Sequence, residues 1–132
     1  MTWFVDASAI VAILGLEEDW QKLADVLDEY PRRLWSPICH WESAVALARR
    51  LRTSTQHAEM IVSDFAESNR FDLVPIGMGE CRLALESWFR YGKRSGHPAR
   101  LNMGDCFAYA CAKTHGARLL YKGDDFSHTD LA

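Results

Sequence analysis

Four acidic positions stand out by their surroundings. Asp6 closes the apolar run Trp3-Phe4-Val5. Glu42 sits in the first turns of the helix that Pro37 should start, on the border of its apolar face. Asp105 lies at the mouth of an otherwise apolar helix, and Asp124 with Asp125 follow Leu119-Leu120-Tyr121. Each has a plain reading of its own: Asp105 can serve as an N3 carboxylate on free backbone amides, and Glu42 can pair with Arg49. Taken together they suggest chemistry. Carboxylate ligands with no accompanying histidine or cysteine set favour hard cations, so Mg²⁺ is the natural partner, with Mn²⁺ as the substitute. Like charges at about 4 Å repel by on the order of 4 kcal/mol at an effective dielectric near 20, and a cation offsets that cost. One cation can orient and acidify a water, and a second about 3.5–4 Å away can stabilise a leaving oxygen, so hydrolysis of RNA or DNA phosphodiesters is the expected reaction.

The elements that must position these acids alternate along the chain. Short unalternating apolar strands are expected at residues 3–5, 34–36, 71–76 and 119–121, the pattern of a parallel sheet covered on both faces. Helices are expected over residues 7–14, 17–30, 37–51, 55–69, 79–91 and 102–115. Asp6, Asp124 and Asp125 then fall at or just past strand C-termini, and Glu42 and Asp105 open helices at the same edge, where open parallel sheets bind ligands. Gly123 frees the backbone for the acid doublet to turn inward, and the tail FSHTDLA is a candidate edge strand. Ser8 either caps its helix or stands beside a water of the metal shell. In the helix after Pro37, Trp41, Ala44, Val45, Ala48 and Leu51 form the expected apolar face. Glu17, Glu18 and Asp19 read as solvated, and His40 as structural. The most basic segment, residues 90–100, leads straight into Asp105, which makes Lys93, Arg94 and Arg100 candidate contacts to RNA phosphates.

Composition narrows the class. With 132 residues and 48% apolar content the chain suffices for a single domain over residues 1–132. The net charge of −3 argues against non-specific adhesion to nucleic acid, although site carboxylates themselves pull the total down. Cys39, Cys81, Cys106 and Cys111 form no CxxC pair and read as reduced, apolar residues of a cytoplasmic protein. The N-terminal apolar run is broken by Asp6 and is too short to span a bilayer, so no membrane association is expected.

Four segments carry a family resemblance: FVDASAI at residues 4–10, HWESAVAL at 40–47, LNMGDCFAYACAK at 101–113 and LLYKGDDFSHTDL at 119–131. Together they resemble the PIN domain, and within it the VapC-type ribonuclease toxins of prokaryotic type II toxin–antitoxin (VapBC) systems. The likeness spans the whole chain. It implies a three-layer α/β/α sandwich around a central parallel sheet of four to five strands. It also implies a site in which Asp6, Glu42, Asp105 and a fourth acid hold the metal and carry catalysis. The fourth acid is taken as Asp124, the nearer to the strand end, with Asp125 as the alternative. Mg²⁺-dependent cutting of RNA, a homodimer and neutralisation by a cognate VapB-type antitoxin complete the expectation. Two rival small α/β families fit less well. A phosphoacceptor receiver needs an acid after the third strand, where Val74-Pro75-Ile76-Gly77 stands; a haloacid-dehalogenase-like phosphatase needs a second aspartate where Ser8 stands. The alternative of another class is a catalytically silent binding module with the same fold, acting through a protein partner.

Overall fold

The computed structural model describes residues 1–132. Its first strand, β1 (Thr2–Val5), is apolar and almost wholly buried, and Asp6 ends it by capping α1 (Ala7–Leu14). After α2 (Trp20–Leu27) come β2 (Arg32–Trp35) and α3 (Pro37–Leu51). Ser36 caps α3 by accepting the Cys39 amide at 3.2 Å, and Pro37 occupies the first turn, where its missing N–H is no loss. The chain continues through α4 (Thr55–Ser68), β3 (Phe71–Leu73), α5 (Met78–Tyr91), α6 (Met103–His115) and β4 (Arg118–Leu120).

The four strands form one parallel sheet in the order β3-β2-β1-β4. Chain order moves outward from β1 through β2 to β3, then jumps back across to β4. The reversal leaves a crevice between the C-terminal ends of β1 and β4. Helices flank the sheet in a three-layer α/β/α sandwich: α1 packs on α2 and α3, α3 on α4, and α5 on α6, which also lies against β1 and β4. Phe4, Val5, Ile10, Leu34, Leu47, Val62, Leu101 and Cys111 are fully buried in one continuous core. All four cysteines are free thiols.

Besides shifts of one or two residues at the ends of β2 and β4, the structure departs from the sequence expectation in four places. α2 is shorter than residues 17–30, because Leu16 and Asp19 adopt left-handed backbone and the helix starts only at Trp20. β3 stops at Leu73 rather than at residue 76, although Val74 still donates to Trp35 O at 2.8 Å. On α3 the buried positions are Cys39, Ser43, Ala44, Leu47 and Ala48, so the inward face is rotated away from Trp41, which is 65% exposed. Ser43 tolerates burial because its hydroxyl donates to Cys39 O at 2.7 Å.

The fourth departure is the tail, which adds no edge strand. Residues 124–132 fold into successive turns, with Ser127 N bonded to Asp124 O, Thr129 N to Phe126 O and Ala132 N to Thr129 O. Phe126 buries its ring in T-shaped contact with Tyr121, and the Asp130 carboxylate accepts from Tyr109 Oη at 2.7 Å and from Lys113 Nζ. These anchors fix the acid doublet between β4 and the core. Asp130→Ala leaves the buried Tyr109 hydroxyl without its partner and is expected to cost about 1–3 kcal/mol in a urea melt. The same variant should be cut in its C-terminal tail by limited proteolysis faster than the parent.

Candidate active site

Asp6, leaving β1, is 5% exposed and has two bonds to one residue: its Oδ2 accepts the Ser8 amide at 3.0 Å and the Ser8 hydroxyl at 2.6 Å. Burial raises its pKa above the ordinary aspartate value, the Ser8 bonds pull it partly back, and the charge of Asp125 adds to the rise. The cap of α1 is thus Asp6 itself, and Ser8 serves the carboxylate.

Asp105 owes its place to a reciprocal cap. Asn102 Oδ1 accepts the Asp105 amide at 2.9 Å, and Asp105 Oδ2 accepts the Asn102 amide at 3.0 Å. Burial again raises the carboxyl, against the Asn102 bond, and Asp6 and Asp125 push it the same way as burial. In both aspartates these bonds fall on Oδ2, and Asp105 also shares a hydrogen bond with Asp125.

Glu42 lies past the first turn of α3, too far along for free N-terminal amides to reach it, and its carboxylate accepts no hydrogen bond. It rests instead against Gly104 at the start of α6. A β-carbon at residue 104 would overlap both carboxylate oxygens, so only glycine leaves room for the acid there. Burial, then the charge of Asp6, raises Glu42 to about 7.

These three acids and Asp125 line a single cavity of about 580 Å³ at the C-terminal edge of the sheet. Asp124, taken from sequence as the fourth acid, is not on the cavity wall. Its main-chain carbonyl instead starts the following turn by accepting Ser127 N and Oγ, and with Phe126 buried beyond it the intervening Asp125 falls to the cavity. No three acid, histidine or cysteine side chains converge on one point within coordinating reach.

The donor set nevertheless suits a hard divalent cation. The wall carries carboxylates and an asparagine but no histidine or cysteine, and the Glu42 carboxylate accepts no hydrogen bond.

Other groups reach the wall that sequence reasoning placed elsewhere. Trp41, assigned to the core, stands exposed beside Glu42, with Val45 and Arg49 following on the same side. Glu17, assigned to solvent, lines the cavity in an ion pair with Lys122 at 3.1 Å. Lys122 was discoverable, since it precedes the acid doublet at the same sheet edge; nothing in the spacing of Glu17 connects it to the site. Lys93, Arg94 and Arg100 are exposed but do not line the cavity. Lys93 instead borders an apolar groove between α5 and α6 that shares Asn102 with the acid cavity. His40 stacks on Trp35 and contacts Glu59, away from the acids.

Comparison with known proteins agrees with this architecture. The PIN domain family model matches residues 3–131. A VapC ribonuclease of Rhizobium meliloti (strain 1021) is 41% identical over 139 residues, covering 97% of this chain and 98% of the relative. Ribonuclease VapC42 of Mycobacterium tuberculosis (strain ATCC 25618 / H37Rv) is 36% identical, covering 96% and 95%. Among solved structures, the sarcin–ricin loop cleaving toxin VapC20 of Mycobacterium tuberculosis shares the fold with a TM-score of 0.71 at 20% identity, covering 95% of this chain and 92% of that one.

The raised carboxyls set the pH dependence of stability. A carboxyl with a folded-state pKa above its unfolded value holds a proton in the native state that the unfolded state has lost, so stability falls as pH rises between the two values. For Glu42 that window runs from 4.5 to about 7. Without added divalent cations, the melting temperature should decline across this window, and Glu42→Gln should flatten the decline. Gly104→Ala, which forces the flexible Glu42 carboxylate aside and out of its desolvated position, should flatten the same decline.

Proposed function

The chain belongs to the PIN-domain family, and from that membership and its acid-lined cavity we propose that it is a divalent-metal-dependent endoribonuclease, the toxin of a toxin–antitoxin pair. The observation that carries the reading is the convergence of Asp6, Glu42, Asp105 and Asp125 on one cavity at the sheet's switch point. The relatives named VapC ribonuclease, alike over nearly their whole length, support it.

In this reading Asp6, Glu42, Asp105 and Asp125 hold Mg²⁺, or Mn²⁺ in its place. When bound, the cation neutralises the carboxylates and polarises the scissile phosphodiester and the water that attacks it. Glu42, whose carboxylate has no hydrogen bond to the protein, takes the proton from that water as the P–O bond forms and the leaving oxygen departs on the opposite side. Ser8, which donates twice to Asp6 Oδ2, would keep that carboxylate oriented when a cation is held. Asp124 stays outside this set, in the turn.

RNA would enter past Trp41 and Arg49. The exposed indole offers a face on which a base can stack, and the guanidinium, in no ion pair, offers a phosphate contact. Lys93, Arg94 and Arg100 extend this cationic path along the loop before Asn102, steering the backbone without reading its sequence. The resemblance also implies a homodimer, consistent with the exposed Leu85 and Phe89 on α5, and a VapB-type antitoxin that places a basic side chain among the acids.

The test is incubation of total cellular RNA with the purified chain in Mg²⁺, Mn²⁺ or EDTA, with new ends mapped by sequencing. Discrete, metal-dependent sites are expected. Asp6→Asn should lower cleavage by more than the roughly 100-fold that loss of an outer-shell partner can cost. Absence of cleavage with every cation, from folded protein free of any partner, would instead favour the silent binding module.

A further inference from the structure

Lys122 is the point where three separate segments of the chain meet. Its ammonium donates to Glu17 Oε1 and to Glu18 O, both at 3.1 Å, in the loop between α1 and α2. Its amide donates to Ser8 Oγ at 3.0 Å, and that same hydroxyl donates to Asp6 Oδ2 at 2.6 Å. Gly123 follows with φ at 97°, a conformation that suits glycine, and three residues after Gly123 the chain reaches the buried Phe126, with Asp125 one step before it.

The loop that Lys122 grips is itself in an unfavourable conformation. Leu16 and Asp19, neither of them glycine, have φ of 51° and 66°. Such backbone persists where surrounding contacts over-determine it, and the bonds from Lys122 to Glu17 and Glu18 are contacts of that kind. The pair is only partly open to water, with side chains 34% and 25% exposed, so it is less screened than a surface ion pair.

We propose that the Glu17–Lys122 pair is a positioning clip that holds the Gly123–Asp125 turn against Asp6, and so sets where the fourth acid stands. Lys122 is a positioning residue here. Its ammonium is engaged twice, so reaching out to a substrate phosphate would break both of those bonds, the tethers of the strained loop, while its amide stays on Ser8. Arg49, on the other side of the cavity, bears no such commitments and is the better phosphate partner.

The inference rests on the metal-dependent reading of the cavity, yet one consequence is independent of it: without the pair the turn itself should loosen. The variants are Lys122→Met, Glu17→Gln and the reversed pair Glu17→Lys/Lys122→Glu, each checked for folding by circular dichroism. Amide hydrogen exchange at residues 123–125, measured without divalent cations, should quicken in both single variants and return toward the parental rate in the reversed pair. Mg²⁺ binding by calorimetry should weaken roughly tenfold in the single variants, the size expected for loss of an outer-shell partner, and recover in the reversed pair. Glu17→Gln keeps the test open if Lys122→Met does not fold.

Unchanged exchange and unchanged Mg²⁺ affinity in the single variants would overturn the clip. So would a Lys122→Met protein that binds Mg²⁺ normally but shows a raised KM for RNA that the reversed pair does not restore, because that result assigns Lys122 to the substrate. A parent chain that binds no Mg²⁺ and cuts no RNA, with exchange still responding to the pair, would refute the nuclease reading and leave the clip standing.

Discussion

The site depends first on the pairing of β1 with β4. These strands come from the two ends of the chain, and their hydrogen bonding in register, Phe4 opposite Leu119 and Val5 opposite Leu120, is continued by Asp6 N donating to Leu120 O at 2.9 Å. That bond places the residue after β1 directly beside the segment that follows β4. The rest of the cavity is built on it, because sheet geometry brings Asp6 and the segment carrying the acid doublet to the same edge. The crossover from β3 back over the sheet, through α5 and α6, then delivers Asp105 to the same edge. A crevice at such a reversal of strand order lies open at the strand C-termini, which is why the carboxylates can be largely buried in protein and still face a cavity.

Crowded carboxylates must be offset locally, and the structure does this unequally. Asp6 and Asp105 both stand at helix N-termini, where unpaired amides and the helix dipole favour negative charge. For both, burial still wins over these bonds and the carboxyls remain harder to ionise than in water. Glu42 has neither an amide nor a dipole to help it. Its length lets it reach the others from within α3, and the absent side chain of Gly104 lets it come close, but nothing in the protein balances its charge. An acid left in this state is the one most responsive to a cation or to a proton, which fits a group that must exchange partners during a reaction.

Much of this was legible in the sequence. The strands and helices could be read because unalternating apolar runs and capping residues are local signals: Ser36-Pro37 opens α3, and Asn102 with Asp105 opens α6, where expected. Asp6, Glu42 and Asp105 stood out for the same reason, being acids at the borders of apolar segments. What escaped was decided by tertiary contacts. The choice between Asp124 and Asp125 turns on the burial of Phe126 and on a turn after β4, neither visible in a doublet of identical residues. Trp41 was assigned to the core because hydrophobic periodicity gives most weight to large side chains, while the true inward face of α3 is Cys39, Ser43, Ala44, Leu47 and Ala48, small apart from Leu47. Glu17 looked like any acid near a helix start, and only the approach of Lys122 from a segment 105 residues away gives it a role.

The small inward face of α3 and the exposed Trp41 have one cause. With Ala44, Ala48 and Ser43 facing inward, α3 can lie near α1 and α6, both of which it contacts, and that close approach is what carries Glu42 to Gly104. A large indole on the inward face would hold the helices apart and withdraw the glutamate from the other acids. Turned outward instead, the same indole lies at the cavity wall, one residue from Glu42, as a flat apolar surface beside a cluster of charges. The packing requirement that assembles the acids therefore also leaves the tryptophan exposed at the cavity wall.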